Sequence, residues 1–154
     1  MRRADRQVTD VHALREIMQR CDAVTLAFAG DMPYAVPVSF GFTEENGRFA
    51  LYIHCAMEGE KLRRMEDDPR CAFSMYTGTR LIEGDTACAF STSYESVCGS
   101  GVLTRLEGGD KRQGIDALMR HYAPGRALPV DERTLAKTCV LRLDVDVISG
   151  KRRM

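Results

Sequence analysis

One segment of the sequence combines the features that could hold an anion, because a strand runs into a turn of small residues and then into the start of a helix. It reads Leu51-Tyr52-Ile53-His54-Cys55-Ala56-Met57-Glu58-Gly59-Glu60-Lys61-Leu62. Backbone N–H groups at the start of a helix are free to bind an anion. Lys61 would add a full positive charge, so the segment suits a phosphate group. On this local pattern alone, a solvated Lys61 on a surface helix is the simpler interpretation.

His54 and Cys55 are adjacent in a strand, so their side chains point to opposite faces and cannot both ligate one metal. His54 is a candidate site residue, although a single His in an apolar strand more often belongs to a core or an interface. His12, on the polar side of the first helix, is predicted to be solvated, and His121 is predicted to lie at the surface. Three scattered His without a carboxylate at ligand spacing do not indicate a metal site.

The other potential nucleophiles carry no catalytic pattern. Four serines lie between positions 91 and 100, but there is no G-x-S-x-G turn and no His with an evident Asp partner. The six cysteines form no C-x-x-C pair and none lies at zinc-finger spacing from a His. We therefore interpret them as reduced, mostly buried thiols of a cytoplasmic protein.

The segments that must position these residues are predicted mainly as strands. Val24 to Ala29 alternates as a strand, and Tyr34 to Phe42 is a second β-like run. Pro37 within that run indicates an edge, a bulge or a place where the ladder opens. Asn46-Gly47 is typical of a type I′ hairpin turn and would join this run to a strand over Arg48 to Cys55.

Helices are predicted at three places. Asp10 can cap a first helix whose apolar face extends to Cys21. Glu58 to Asp67 forms a short helix before Pro69, because the residue preceding a proline avoids the helical region. Asp110 to Tyr122 forms a third helix.

The remaining strands are predicted at Cys71 to Tyr76, Thr86 to Phe90, Ser96 to Leu106 and Cys139 to Ile148, with Thr77 to Thr86 as a loop. The last strand alternates and should be half-buried. Its predicted inward side chains are Cys139, Leu141, Leu143, Val145 and Val147. Six or seven strands without regular β-α-β alternation favour an antiparallel barrel with helices at its ends, and no dinucleotide or P-loop motif is present.

Composition excludes several classes of protein. The 154 residues suit one domain over residues 1–154, and 44% hydrophobic residues indicate a globular chain. With 22 basic and 22 acidic residues, nucleic-acid binding through bulk positive charge is not expected. The longest uncharged run, 32–43, is too short to span a membrane, and the N-terminus does not resemble a signal peptide.

Six motifs, taken in order, resemble the pyridoxamine-phosphate-oxidase-related flavoproteins, and specifically their nitroimidazole-resistance (Nim-like) branch. The resemblance covers nearly the whole chain; each motif is weak alone, but the ordered set is specific. The motifs are Met1-Arg2-Arg3-x-Asp5-Arg6, Pro33-Tyr34-Ala35-Val36-Pro37-Val38-Ser39-Phe40-Gly41, Tyr52-Ile53-His54-Cys55-Ala56 with Gly59 and Lys61, Asp68-Pro69-Arg70-Cys71, Tyr94-Glu95-Ser96-Val97-x-Gly99-x-Gly101 and Ile148-Ser149-Gly150-Lys151.

The resemblance implies a mainly β fold with short helices, a split β-barrel that binds FMN at a homodimer interface. It places Val36, Pro37, Val38 and Ser39 along the flavin ring. It places His54, Cys55, Ala56 and Lys61 at the ribityl phosphate, and Tyr94, Ser96 and Val97 near the ring. In the Nim branch, the His that matches His54 lies beside the flavin and is proposed to act in substrate reduction.

The sequence also departs from the pyridoxamine phosphate oxidases. Those enzymes carry basic residues in the flavin strand, where this chain has Val36 and Gly41, and an Arg-Lys pair where it has Glu60-Lys61. The sequence therefore does not indicate the vitamin-processing activity of those enzymes, and we expect fewer positively charged contacts to the phosphate. The leading hypothesis is an FMN-dependent oxidoreductase acting on a small molecule such as a nitroaromatic compound. The alternative is a flavin- or haem-binding module with little turnover.

Overall fold

The structure is a computed structural model that describes residues 3–154. It is an antiparallel β-barrel with short helices packed around it. Strands hold 45% of the residues and helices 26%, so the predicted mainly β class is confirmed. Met1 and Arg2 of the first motif lie outside the described residues. A 3₁₀ turn, Ala4–Arg6, opens the described chain.

The eight strands and four helices follow in chain order. The strands are β1 (Gln7–Val8), β2 (Val24–Phe28), β3 (Tyr34–Val38), β4 (Gly41–Glu45), β5 (Arg48–Cys55), β6 (Arg70–Ile82), β7 (Ser91–Arg105) and β8 (Cys139–Arg153). The helices are α1 (Val11–Gln19), α2 (Glu60–Asp67), α3 (Gly108–Tyr122) and α4 (Glu132–Ala136). Asp10 caps α1 as predicted, because its side chain accepts a hydrogen bond from the Ala13 N–H.

The sheet closes because its two edge strands are consecutive in the chain. The strand order is β3-β2-β6-β7-β8-β5-β4, with β1 added beside β8. Only Ser39 and Phe40 separate β3 from β4, so the two edges must lie close together and the sheet curls into a barrel. Phe40 is fully buried at this junction, within the core that fills the barrel. The split-barrel prediction is confirmed.

Pro37 lies on the edge strand β3, which pairs with β2 alone, so the edge is the correct one of the three alternatives for this proline. A proline lacks the N–H that a second neighbouring strand would require. The predicted run from Tyr34 to Phe42 is therefore two strands, with a break after Val38 where the chain passes from one edge of the sheet to the other.

Two sequence predictions between β6 and β7 are wrong. The predicted loop over Thr77 to Thr86 is β-strand as far as Ile82, since 80–82 pair with 91–93 beyond a bulge. The predicted strand over Thr86 to Phe90 is instead the turn that joins these two long strands. Backbone pairing in a hairpin extends a strand whose exposed side chains show no alternation.

Val147 is also placed differently from the prediction, because β8 contains a bulge. Gly101 pairs with Val145 and Ser100 with Val147, so Asp146 is an extra residue. One extra residue shifts the two-residue period and turns every later side chain to the opposite face. Val147 therefore lies on the outer face and is 62% exposed.

Candidate functional site

His54 is exposed at the outer face of β5, while Cys55 beside it points toward the barrel interior. Ala50 and Tyr52 share the outer face with His54, but α3 covers them through Ala117. His54 lies beyond the reach of this cover at the end of the strand. Its imidazole can therefore meet a ligand or solvent.

The strand predicted to lie along a flavin ring presents alternate residues to the outside. Val36 and Val38 are half-buried and pack against the core, whereas Pro37 and Ser39 are exposed. Gly41 pairs with Tyr52 in an antiparallel ladder, so the residues that precede Gly41 run beside those that follow Tyr52. Ser39, just after β3, and His54 therefore both lie two residues beyond the last pair of this ladder.

The start of α2 is open to an anion. Gly59 is its N-cap, with φ 142°, a backbone conformation that side-chain-bearing residues rarely adopt. No side chain caps the helix, and no atom lies within 4 Å of where a Cβ on Gly59 would be. In the first turn, the Leu62 N–H already donates to the Gly59 carbonyl oxygen at 3.0 Å, so the N–H groups of Glu60 and half-buried Lys61 are the ones left for an anion.

Glu60 does not cancel the positive charge of this helix start. Its carboxylate accepts hydrogen bonds from Arg63 and from Arg64, the latter at 2.6 Å. The hydrogen bond from Arg64, together with the charges of both guanidiniums, holds the pKa of Glu60 below its ordinary value. With Glu58 of the preceding turn included, residues 58–64 hold three cations and two carboxylates, so the start of α2 carries a net charge of +1. This set of residues fits a phosphate group better than the sequence pair Glu60-Lys61 suggests.

The predicted ring-binding residues of β7 do not lie next to β3 within one chain; they are Tyr94, Ser96 and Val97. Ser96 pairs with Tyr76 on one side and with Lys151 on the other. Three strand spacings, or ~14 Å, separate β7 from β3 across the sheet. The side chain of Val97 is fully buried, so only its backbone could approach a ligand. Within one chain, the two groups of residues therefore lie on separate parts of the sheet.

The outer face of five neighbouring strands carries small side chains, a feature that sequence patterning did not identify. One row across β3, β2, β6, β7 and β8 is Ala35, Ala27, Ala72, Ser100 and Val147, and the next is Pro37, Thr25, Ser74, Cys98 and Ser149. We call these two rows the small-residue face. The same side of the sheet carries Tyr76, which is 71% exposed. The sequence does show small residues at alternate positions within each strand. Only the pairing register of the strands shows that these residues lie side by side in two rows.

Two further predictions concern histidines. His12 is exposed on α1, as predicted. His121 is not at the surface as predicted, because it packs against Phe40 with ring centroids 4.5 Å apart. Its Nε2 lies 2.8 Å from the carbonyl oxygen of Cys21, and its Nδ1 is buried without a hydrogen-bond partner. His121 therefore belongs to the packing between α3 and the barrel.

Within residues 3–154, no three His, Cys, Asp or Glu side chains lie close enough together to hold a metal ion. None of the helices in this part of the chain has the length and apolar character required to cross a membrane.

Solved structures similar to this chain include proteins that bind flavin and haem. A proposed 5-nitroimidazole antibiotic resistance protein from Bacteroides thetaiotaomicron is 24% identical, with a TM-score of 0.80 over 94% of this chain and 85% of that one. An FAD- and haem-binding protein from Mycobacterium smegmatis is 25% identical, with a TM-score of 0.83 over 96% of this chain and 73% of the other. A flavocytochrome from Azotobacter vinelandii is 18% identical, with a TM-score of 0.81 over 100% and 72%.

A search of curated proteins found no match. The pyridoxamine 5'-phosphate oxidase family matches residues 10–152, which include every element from α1 through nearly all of β8. The chain therefore belongs to the pyridoxamine 5'-phosphate oxidase family.

Proposed function

We propose that this protein binds FMN and acts as an FMN-dependent oxidoreductase that reduces nitroaromatic compounds. The observation that carries the proposal is the position of His54, exposed at the end of β5 and followed six residues later by the positively charged start of α2. The similarity to the proposed nitroimidazole resistance protein and to the FAD- and haem-binding protein supports a flavin and this type of substrate.

The two ends of the cofactor would be held by different chemistry. Lys61 and the N–H groups of the first turn of α2 would bind the phosphate, through charge-assisted hydrogen bonds. The ring would lie along β3, where Pro37 and Ser39 are exposed and leave no long side chain in the way. Val36, Val38, Cys55 and Ala56 would line the same region through backbone or small side chains. When bound, FMN supplies the capacity to accept and pass on electrons.

His54 would move the proton. A nitro group that accepts two electrons to become a nitroso group takes up two protons and loses one oxygen as water. Imidazole is the side chain that exchanges protons near neutral pH, so an exposed His beside the ring is a suitable general acid. Solvent can restore its proton because the His54 side chain is exposed.

A second copy of the chain would complete the site as a homodimer. Tyr94, Ser96 and Val97 lie three strands away from β3 in one chain, and we assign them to the facing copy. The small-residue face carries exposed Val147, and exposed Tyr76 lies beside it on the same side of the sheet, so a second sheet could cover both. The six free cysteines fit a reducing compartment, and we propose the cytoplasm.

The test begins with the visible spectrum of the purified protein and a titration of the apoprotein with FMN. Oxidised-flavin absorbance and saturable FMN binding are expected. A Soret band would favour the haem module, and a colourless protein that takes up neither group would refute the proposal.

The second step measures the reoxidation of the reduced, FMN-loaded protein by a nitroimidazole in an anaerobic stopped-flow instrument. His54→Ala should keep the flavin but slow this step by about 10²-fold, if general acid catalysis is lost. His12→Ala is the matched control, since His12 is an exposed His on α1, and it should react like the wild type. Equal rates for all three proteins would remove His54 from the chemistry. No electron transfer in the wild type would remove the nitroreductase activity itself.

A further inference from the structure

Two cysteines face each other across neighbouring strands at one end of the barrel. Cys55 is the last residue of β5 and Cys139 is the first residue of β8, and the two are direct partners in the antiparallel ladder. Such partners have Cα atoms about 4.5–5.5 Å apart, within the range of about 4.4–6.8 Å that disulfides span. Directly opposite residues point to the same face, so both sulfurs lie on the interior side.

The two thiols differ in accessibility. Cys139 is 1% exposed, whereas Cys55 is half-buried and is followed by the exposed Ala56. Burial first, and then the interaction with the neighbouring Cys55 sulfur, raises the pKa of the Cys139 thiol to about 11. At neutral pH Cys139 is therefore protonated and sheltered, and a reagent from solvent would meet Cys55 first.

The other four cysteines have no such arrangement. Cys21 and Cys71 are buried and donate to backbone carbonyl oxygens at 3.3 and 3.2 Å. Cys88 and Cys98 are exposed, and Cys98 donates to the hydroxyl of Ser74. Only the pair at the ends of β5 and β8 combines opposite register, a shared face and one accessible sulfur.

We propose that Cys55 and Cys139 form a redox-active dithiol that closes to a cross-strand disulfide in the presence of a low-molecular-weight disulfide. The Cys55 thiolate attacks one sulfur of the reagent, the reagent's S–S bond breaks, and one small thiol leaves with a proton. The Cys139 sulfur then gives up its proton and attacks the Cys55 sulfur, and the second small thiol leaves with that proton. Two protein thiols lose two electrons, and one small disulfide gains them.

Closure would tie together the two strands that lead into the candidate site. Cys55 is adjacent to His54 and precedes the turn to α2, and the new bond would close a loop of more than half the chain. Cross-linking a long loop restrains the unfolded chain, so the oxidised protein should melt at a higher temperature. The proposal does not depend on FMN binding.

The experiment starts from a Cys88→Ser/Cys98→Ser variant, which removes the two exposed thiols that could cross-link molecules. It is equilibrated with glutathione and glutathione disulfide over a range of ratios, quenched with acid, and its thiols are counted under denaturing conditions. The count should fall from four to two as the disulfide fraction rises, and dithiothreitol should restore it. Tryptic digestion should yield the peptide 49–61 linked to the peptide 138–142.

Single variants in the same background identify the pair. Cys55→Ser and Cys139→Ser should each abolish the linked peptide, and Cys21→Ser should retain it. If Cys139→Ser does not fold, the half-buried Cys55→Ser and the peptide map still decide the question. Four free thiols at every ratio, a bond between another pair, or a stable glutathione adduct on Cys55 that Cys139 does not displace would each overturn the proposal.

Discussion

Gly41 lets α3 lie directly on β4, and replacing it should loosen the cover beside the candidate site. A Cβ built on Gly41 would lie 2.3 Å from the carbonyl carbon of Ala117 and 2.4 Å from the amide nitrogen of Leu118. An ordinary contact is about 3.4 Å or more, so the helix would have to move by roughly an ångström. The resemblance aligns Gly41 with a basic residue of the pyridoxamine phosphate oxidases, and here such a side chain has no room.

Gly41→Ala should therefore lower the free energy of unfolding. Overpacking a tight contact costs roughly 1–3 kcal/mol, and the upper end applies because the atoms in the way are helix backbone, which cannot rotate aside. At about 2–4 °C per kcal/mol for a chain of this size, ~3 kcal/mol lowers the melting temperature by about 6–12 °C.

Calorimetry or thermal circular dichroism of wild type, Gly41→Ala and the matched control Gly109→Ala would measure the effect. Gly109 lies in the same helix, and no atom lies within 4 Å of where its Cβ would be, so an added methyl group meets open space. Because alanine favours a helix over glycine, this control should melt at or above the wild-type temperature. A melting temperature for Gly41→Ala indistinguishable from that of the wild type would refute the argued contact.

Three other predictions concern the phosphate site, the dimer and an ion pair. Lys61→Ala should weaken FMN binding about tenfold to a hundredfold in fluorescence titrations, because a charge-assisted contact to a phosphate contributes ~1.5–3 kcal/mol. Replacing the exposed Lys137 by Ala is the control and should leave FMN binding unchanged. Tyr76→Asp should shift the protein from dimer to folded monomer in light scattering, and an unchanged mass would contradict the proposed interface. Burial raises the pKa of Glu95, but hydrogen bonds from two arginines outweigh this and lower it overall. A carboxylate whose pKa is lowered by folding adds stability at neutral pH, and this stability is lost as the pH falls below the ordinary pKa of 4.5. Glu95→Gln should therefore have a lower free energy of unfolding than the wild type in urea titrations at pH 7. In urea titrations at acid pH, the difference between the two proteins should disappear.

Much of the barrel could be predicted from local signals. The strand over 48–55 has the predicted bounds and that over 24–28 ends one residue before the predicted end, because alternating side chains and the Asn46-Gly47 turn act over a few residues. Asn46 adopts a positive φ of 53°, as a type I′ turn requires. The ends of β6 and β7 could not be found in this way, because their exposed residues are held by pairing with each other rather than by a core.

The candidate site was predictable only where its residues are contiguous. His54 and Lys61 belong to one strand, turn and helix, and the sequence shows that order directly. The ion pairs of Glu60 could not be predicted from the adjacent Lys61. Arg63 and Arg64 reach the Glu60 carboxylate because they lie three and four residues further along the helix, and their side-chain conformations complete the contact.

The composition of the small-residue face depends on an irregularity that hydrophobic patterning conceals. Val145 and Val147 continue the apolar alternation of β8, so the pattern remains intact across the bulge at Asp146. Only the pairing with β7 reveals that the period has shifted, and pairing is a property of two strands. The shift places an exposed valine beside Ser100 on the outer face rather than in the core. An exposed valine costs solvation free energy in a lone chain and regains it when a second chain covers it, so in the proposed homodimer the bulge would favour association through this face.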